Sequence, residues 1–267
     1  MHLTKHHGLA NDFLVVLEAT NGPLNEAPEV ARSLCHRRTG VGADGLIWGA
    51  ASDTADVGFR LHNADGSEAE ISGNGLRCLV QAWLRAEGRG EGTVSVSTQG
   101  GTRAAVASAT EDPLTLTVST EMGAITDGPE LPGVVADLGF TQAATASVGN
   151  PHVVLLGPGE LAPDLASIDL TTVGRRVEEA VPGGANVHVI SPEGDDRLVM
   201  RPWERGAGMT EACGSGATVA AWVARRWGLV GNTVTVAMPG GEAVVELNDL
   251  GASLVGPATF VAEVVTP

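Results

Sequence analysis

Two short runs in this 267-residue chain carry the residue types that acid–base chemistry needs. Cys213-Gly214-Ser215-Gly216 follows Trp203-Glu204-Arg205-Gly206-Ala207-Gly208 and opens an apolar segment, Ala217 to Ala224. Ser72-Gly73-Asn74-Gly75 opens Leu76-Arg77-Cys78-Leu79-Val80-Gln81-Ala82-Trp83 in the same manner. Each reads as the start of a buried helix, whose N-terminus offers unpaired backbone N–H groups and a partial positive charge. A cysteine placed there is expected to have a lowered pKa and a larger thiolate fraction. A substrate carboxylate can dock on the same N–H groups, which flanking glycines leave open to close approach. One run could therefore supply both a base and an anion site. Taken alone, the Cys213 run is better explained as a buried structural cysteine in a tight turn.

It is not alone, because the two runs belong to a long internal repeat. Ser72 and Cys213 are 141 residues apart, and the match extends both ways. Thr93-Val94-Ser95-Val96 leading to Gly100-Gly101 corresponds to Thr233-Val234-Thr235-Val236 leading to Gly240-Gly241. Asn63 precedes Ser72 by the nine residues that separate Glu204 from Cys213. Gly42-Ala43-Asp44 parallels Gly184-Ala185-Asn186, and the Asn11–Val16 segment parallels Asn150–Leu155. Self-similarity of this kind settles architecture before other features do. Two similar halves usually face each other and form sites between them.

The elements that must position these runs follow from periodicity and turn signals. Asp12–Leu17, Leu46–Trp48 and Gly58–His62 read as strands, and Glu29–Arg38 as a helix with a basic C-terminal end. Asn11 and Asn63 each sit at a strand end, where an asparagine either closes a turn or aims into a cleft. The Ser72 helix is expected to run to about Arg85, followed by strands Thr93–Thr98 and Thr102–Ala107 and then Leu114–Ser119. The second half repeats the plan with strands Thr145–Val148, Val153–Leu156 and Ala185–Ile190, and a helix Asp169–Ala180. It ends in strands Thr233–Met238, Glu242–Leu247, Ala252–Val255 and Ala258–Val265. One long helix per half is available for a sheet to wrap.

Composition narrows the function classes. The length suits two domains, and 43% hydrophobic content suits globular ones. A formal charge of −16 without any tyrosine disfavours phosphate backbones and base stacking, so nucleic acid is excluded as a partner. Cys35, Cys78 and Cys213 are odd in number and widely spaced, which predicts reduced thiols and a cytoplasmic location. No signal peptide and no membrane span are expected. His6-His7 and Cys35-His36 lack metal-ligand spacing, so no metal is predicted, and His152 and His188 read as satisfied core histidines. Lys5 is the only lysine and stands before the first strand, a poor place for a pyridoxal phosphate Schiff base. No cofactor is expected. Chemistry at an amino-acid α-carbon would have to proceed without that electron sink.

Two helix N-termini facing each other across a cleft would suit removal of a proton from one face of an α-carbon and its return on the other. The carbanion would gain from carboxylate contacts to the backbone N–H groups of Gly73, Asn74, Gly214 and Ser215. At this point the chain resembles the diaminopimelate epimerases, cofactor-independent amino-acid epimerases of lysine and cell-wall synthesis. The matching segments are His7–Phe13, Arg38–Gly45, Asn63–Glu70, Gly73–Cys78, Gly149–His152, and Glu204–Gly208 running to Cys213–Gly216. The resemblance implies an α+β fold of two pseudosymmetric domains, each a barrel-like, mostly antiparallel sheet around a central helix, with the active site in the cleft between them. The expected domains are 1–117, completed by 256–267, and 118–255. The resemblance also implies an acid–base pair at 72 and 213 and substrate contacts at Asn11, Asn63, Asn150, Asn186, Glu204 and Arg205. Glu204 and Arg205 suit the amine and carboxylate of a zwitterion. The partner implied is a small amino acid, and a homodimer is the assembly to test.

Two departures stand out. The family usually carries a cysteine where this chain has Ser72, and a hydroxyl is a far weaker acid than a thiol of pKa about 8.5. Cys78 lies six residues further along the helix, about 9 Å by rise, and cannot substitute. Many relatives also have a glutamine where Gly45 stands. The competing expectations are a one-base dehydratase or racemase of another amino acid on the same fold, and an inactive amino-acid-binding homologue.

Overall fold

The computed structural model describes residues 1–69, 72–157 and 165–266. Glu70 of the Asn63–Glu70 segment and Pro267 at the chain end lie outside the described residues. The chain divides into two compact units, Met1–Glu121 with Val255–Pro267, and Met122–Leu254.

The first unit contains β1 (His2–Gly8), β2 (Asn11–Leu17), α1 (Glu18–Asn21), α2 (Ala27–Cys35), β3 (Gly45–Ala50), β4 (Val57–Asn63), β5 (Glu68–Ala69), α3 (Gly73–Ala86), β6 (Gly92–Thr98), β7 (Gly101–Ala109) and β8 (Thr115–Gly123). The second contains β9 (Thr126–Asp127), β10 (Gln142–Ser147), β11 (Pro151–Leu156), α4 (Leu170–Ala180), β12 (Asn186–Pro192), β13 (Arg197–Glu204), β14 (Gly208–Met209), α5 (Gly214–Arg226), β15 (Thr233–Met238) and β16 (Gly241–Asn248). The last strand, β17 (Gly251–Val265), carries the chain back to the first unit.

In the first unit β1 pairs antiparallel with β2, β2 parallel with β3, β3 antiparallel with β4 and β4 parallel with β6. The hairpins β6–β7 and β7–β8 continue the sheet. β17 pairs with β8, where Phe260 N donates to Leu114 O at 2.8 Å, and with β1. The result is a closed eight-stranded barrel, a closure that leaves no sheet edge in need of a partner. Its centre is α3. Leu76, Cys78, Leu79, Val80, Ala82 and Leu84 of α3 share one core with Phe13, Ile47, Phe59, Val94, Ala105 and Val118 from the surrounding strands. A helix apolar on nearly every side is stable only when enclosed.

The second unit repeats the same sequence of steps. β10–β11 is antiparallel, β11–β12 parallel, β12–β13 antiparallel, β13–β15 parallel and β15–β16 antiparallel. The short β14 rests on β13 as β5 rests on β4. Its enclosed helix is α5, buried from Gly214 through Ala221 and again at Val223 and Ala224. The fold is α+β, with two pseudosymmetric domains built on one topology.

Several elements differ from the sequence expectation. The helix α2 ends at Cys35, so Arg37 and Arg38 lie beyond it, and Arg37 instead reaches Asp12 and Asp44. Gly256-Pro257 does not divide the last strand, because losing one N–H at proline breaks a single rung of the ladder and not the extended backbone. The short helix α1 and the two-residue strands β5, β9 and β14 lack the length that periodicity needs to be read.

Candidate active site

Ser72 and Cys213 occupy the same local geometry. Ser72 is the N-cap of α3, extended at φ −142° and ψ 117°, and its Oγ accepts from Gly75 N at 3.0 Å. Cys213 is the N-cap of α5, at φ −129° and ψ 107°, and its Sγ accepts from Gly216 N at 3.3 Å. In both cases the side-chain heteroatom sits on the orphan N–H groups of a helix start. Gly73, Asn74, Gly214 and Ser215 are the first residues of these helices and are all buried.

Around Ser72 the structure gathers amides and charges. Asn74 Nδ2 donates to Asn11 Oδ1 at 3.1 Å, and Asn11 Nδ2 donates to Asp44 Oδ2 at 2.8 Å. Arg37 bridges Asp44 and Asp12, and Lys5 pairs with Asp12 at 2.8 Å. Burial works to raise the Asp12 carboxyl, but the hydrogen bonds and charges of Arg37 and Lys5 outweigh it and hold it near 2. The turn before Asn11 is unusual. Leu9 and Ala10 both take left-handed backbone, φ 55° and 64°, in a two-residue hairpin loop between the paired Gly8 and Asn11. Such a loop favours asparagine and glycine, and non-glycine residues in it cost about 1–3 kcal/mol each. Burial of the Leu9 side chain holds the conformation that carries Asn11 beside α3. Asn63 is engaged differently: its Nδ2 donates to Ser67 Oγ at 3.0 Å within the β4–β5 turn.

Around Cys213 the groups are a carboxylate and two neutral rings. Glu204, the repeat counterpart of Asn63, hydrogen-bonds the thiol, and its Oε1 accepts from Thr210 Oγ1 at 2.6 Å. The neighbouring Arg205 is exposed, and its backbone N donates to Asn186 Oδ1 at 3.0 Å. The Glu204–Arg205 turn is fastened from α4. The Glu178 carboxylate accepts from Trp203 Nε1 at 2.6 Å and from Gly206 N at 3.0 Å. Asn150 Oδ1 meets His152 Nε2 at 2.8 Å, and His152 Nδ1 meets His188 Nε2 at 2.9 Å. With Asn150 Oδ1 accepting, both histidines carry their proton on Nε2, and His188 Nδ1 is a buried acceptor without a partner among the described residues. His152 is therefore a bonded core histidine as its strand context predicts, while His188 is bonded on one side only. Burial lowers both rings, His188 to about 3, so both are neutral. His188 lies against Gly216, where a β-carbon would fall 2.4 Å from its ring.

The thiol corrects one expectation. Cys213 is 2% exposed, and burial, reinforced by the Glu204 charge, pushes its pKa well above the ordinary value. The N–H of Gly216 and the Ser215 hydroxyl pull the other way without prevailing. Desolvation of a thiolate outweighs one helix N-terminus, so Cys213 rests as a thiol. Gly45 also has a structural reading. A β-carbon there would lie 2.9 Å from His62 O and 2.9 Å from Leu61 Cδ1, so a longer side chain would require the strand to shift.

Sequence reasoning missed Arg77, Glu178, Thr210 and the carboxylate pair Asp12–Asp44. Asp44 lay in a repeat segment and could have been found there. Glu178 gave no signal, because a helix carboxylate reads as a solvated face.

A family model described as diaminopimelate epimerase matches residues 3–126 and 144–261. The chain is 34% identical to a diaminopimelate epimerase from Desulfitobacterium hafniense, over 98% of this chain and 96% of the relative. It is 36% identical to one from Desulforapulum autotrophicum, over 98% and 97%. The chain belongs to the diaminopimelate epimerase family. Membership makes it an isomerase by class. A solved phenazine biosynthesis protein of the PhzF family from Bacillus anthracis shares the fold, with a TM-score of 0.73 at 16% identity over 99% of this chain and 98% of that one.

Proposed function

We propose that this protein interconverts LL- and meso-diaminopimelate without a cofactor, by removing the α-proton on one face, at Cys213 or on the Ser72 side, and delivering another proton from the opposite face. The observation that carries the reading is the matched pair of N-caps, each presenting its reactive atom on an opened set of backbone N–H groups. The family supplies the substrate. Both helix starts are read as acting on one α-carbon, with its carboxylate on the N–H groups of Gly73, Asn74, Gly214 and Ser215.

Cys213 starts as a thiol whose proton is held by burial and by the Glu204 charge. A substrate ammonium at Glu204 neutralises that charge and favours the thiolate, so deprotonation is coupled to binding. Arg205 takes a carboxylate, and Asn11, Asn63, Asn150 and Asn186 read the remaining polar groups of the substrate. Ser72 cannot match the thiol as an acid, so return of the proton on its side is the slow step, with water as the proton source. A reduced cytoplasmic setting accords with three buried thiols, and among the described residues no helix is long and apolar enough to cross a membrane. A homodimer is proposed as the assembly.

Proton NMR of LL- and meso-diaminopimelate with the enzyme in deuterium oxide tests the reading. Loss of the α-proton signal with inversion is expected. Binding with neither exchange nor inversion would show an inactive amino-acid-binding protein instead.

A further inference from the structure

Arg77 is the least expected residue in the first unit. Its side chain is fully buried, and no carboxylate pairs with it among the described ion pairs. A buried charge without a counter-charge is strongly disfavoured unless something specific requires it. Burial lowers its pKa only to about 10, so it stays charged at neutral pH. The fold makes a socket for it. A β-carbon on Gly8 would lie 3.4 Å from Nη2, and one on Gly256 would lie 3.0 Å from Cζ. Within the socket Nε donates to Pro257 O at 3.3 Å and Nη2 donates to Asn74 Oδ1 at 2.5 Å, while Nη1 has no partner among the described residues.

The contact to Asn74 begins a chain whose direction can be deduced. A guanidinium only donates, so Asn74 must offer it Oδ1 and turn Nδ2 toward Asn11. An ionised carboxylate only accepts, so Asn11 must offer Asp44 its Nδ2 and keep Oδ1 for Asn74. Asp44 is itself held by Arg37. A cation at one end and an anion at the other leave one consistent arrangement of the two amides: Arg77 to Asn74, Asn74 to Asn11, Asn11 to Asp44. Flipping either amide would set donor against donor and acceptor against acceptor.

We infer that Arg77 is a positioning residue: together with Asp44 it locks the Asn74 and Asn11 amides in one polarity, so that Asn11 meets the substrate with its second Nδ2–H. This fixes Asn11 as a donor selecting an acceptor group, a carboxylate oxygen or a carbonyl, and rejecting an ammonium. The inference rests on the proposed function for its substrate alone, since the chain of amides stands in the protein without one.

The test combines kinetics with a direct view of the amides. Side-chain 15N–1H amide signals of Asn11 and Asn74, assigned through Asn11→Ala and Asn74→Ala, are recorded for the wild type, Arg77→Met, Arg77→Lys and Asp44→Asn. KM and kcat for LL-diaminopimelate and thermal midpoints are measured alongside. Arg77→Met is expected to shift or split both amide signals and to raise KM by about 10- to 100-fold, the range for a lost hydrogen bond to a charged group, with a smaller change in kcat. Arg77→Lys keeps a charged donor and should recover most of that loss. Asp44→Asn removes the anionic end at a partly exposed site and should raise KM about 10-fold while moving the Asn11 signal. If Arg77→Met lowers the thermal midpoint yet leaves KM and both amides unchanged, Arg77 only fills space and the inference fails. Equal loss in the lysine and methionine variants also defeats it. Should Arg77→Met not fold, unchanged amides and KM in Asp44→Asn are sufficient to overturn it. A wild type without activity on diaminopimelate would remove the substrate assignment and leave the amide signals to decide the chain.

Discussion

The surroundings of Ser72 and of Cys213 share one scaffold and are wired in opposite ways. In the first unit the repeat positions hold Asn11, Asp44, Asn74 and Arg77, and a chain running from cation to anion fixes their amides. In the second unit the corresponding positions are Asn150, Asn186, Ser215 and Thr218, all neutral, and Thr218 Oγ1 merely closes on Gly214 O at 3.0 Å. There Asn150 bonds His152, and His152 bonds His188, where the first unit has Phe13 and Leu46. The difference follows the reactive atom. A serine hydroxyl does not titrate near neutrality, so full charges can surround it without altering its protonation. The thiol does titrate, and a neighbouring charge moves it, as Glu204 already does. Neutral rings beside Asn150 add no charge near Cys213, whose proton is held by burial and by the Glu204 charge.

The strongest test of this division removes the titrating atom. Cys213→Ala should keep the fold and substrate binding but lose α-proton exchange by about 10²- to 10⁴-fold, the usual contribution of a placed acid–base group. Deuterium wash-in at the α-carbon measures it, and substantial exchange in the variant would contradict the assignment of Cys213 as the base. Next in size is Arg205→Met. The exposed guanidinium is assigned a substrate carboxylate, so binding should weaken by roughly 10- to 100-fold with an unchanged circular dichroism spectrum. Calorimetric titration with meso-diaminopimelate decides, and an unaltered dissociation constant would take Arg205 out of the site.

Ser72→Cys brings the halves closer in chemistry. Inversion should rise by about 10-fold or more, because a thiol can serve in either protonation state near neutrality. In the wild type, the stereoisomer deprotonated by Cys213 should exchange its α-proton faster than it inverts. Initial rates of inversion and of wash-in from both stereoisomers compare the two proteins. If inversion is unchanged or slower in the variant, the weak acid is not Ser72.

The smallest expected effect concerns acid. His188 and His152 are neutral when folded, with pKa values far below 6.5, and His6 of the first unit is lowered to about 4 by burial. The unfolded chain then binds more protons than the native one below pH 6.5. Their stabilisation is complete above that value and is lost as pH falls toward 3–4, by up to about 1.4 kcal/mol per pH unit for each ring. Two such rings lie in the second unit and one in the first, so the second should open first. Hydrogen exchange at pH 7 and pH 5, read separately on α3 and α5, tests this, and earlier loss of protection in α3 would reverse the comparison.

The sequence by itself determined the repeat, the two capped helices and the strands around them. It could do so because hydrophobic periodicity and Gly-rich helix starts are local properties. The run Ser72-Gly73-Asn74-Gly75 and its counterpart at Cys213 specify their N-caps from within four residues, and the structure shows both caps in nearly identical backbone. The asparagines were legible as positions, at strand ends in register with each other, but not as donors or acceptors. That choice depends on contacts made in three dimensions: Asp44 lies 33 residues from Asn11, and Arg77, only three residues from Asn74, is held against it in a socket bounded by Gly8 and Gly256. The protonation of Cys213 was likewise beyond local reading. A helix N-terminus predicts a thiolate, but how deeply the sulfur is buried and which carboxylate lies beside it are set only when β13 and α5 pack together, and desolvation is the larger force. Tertiary structure decided polarity and charge, because both are sums over neighbours that the order of residues does not place side by side.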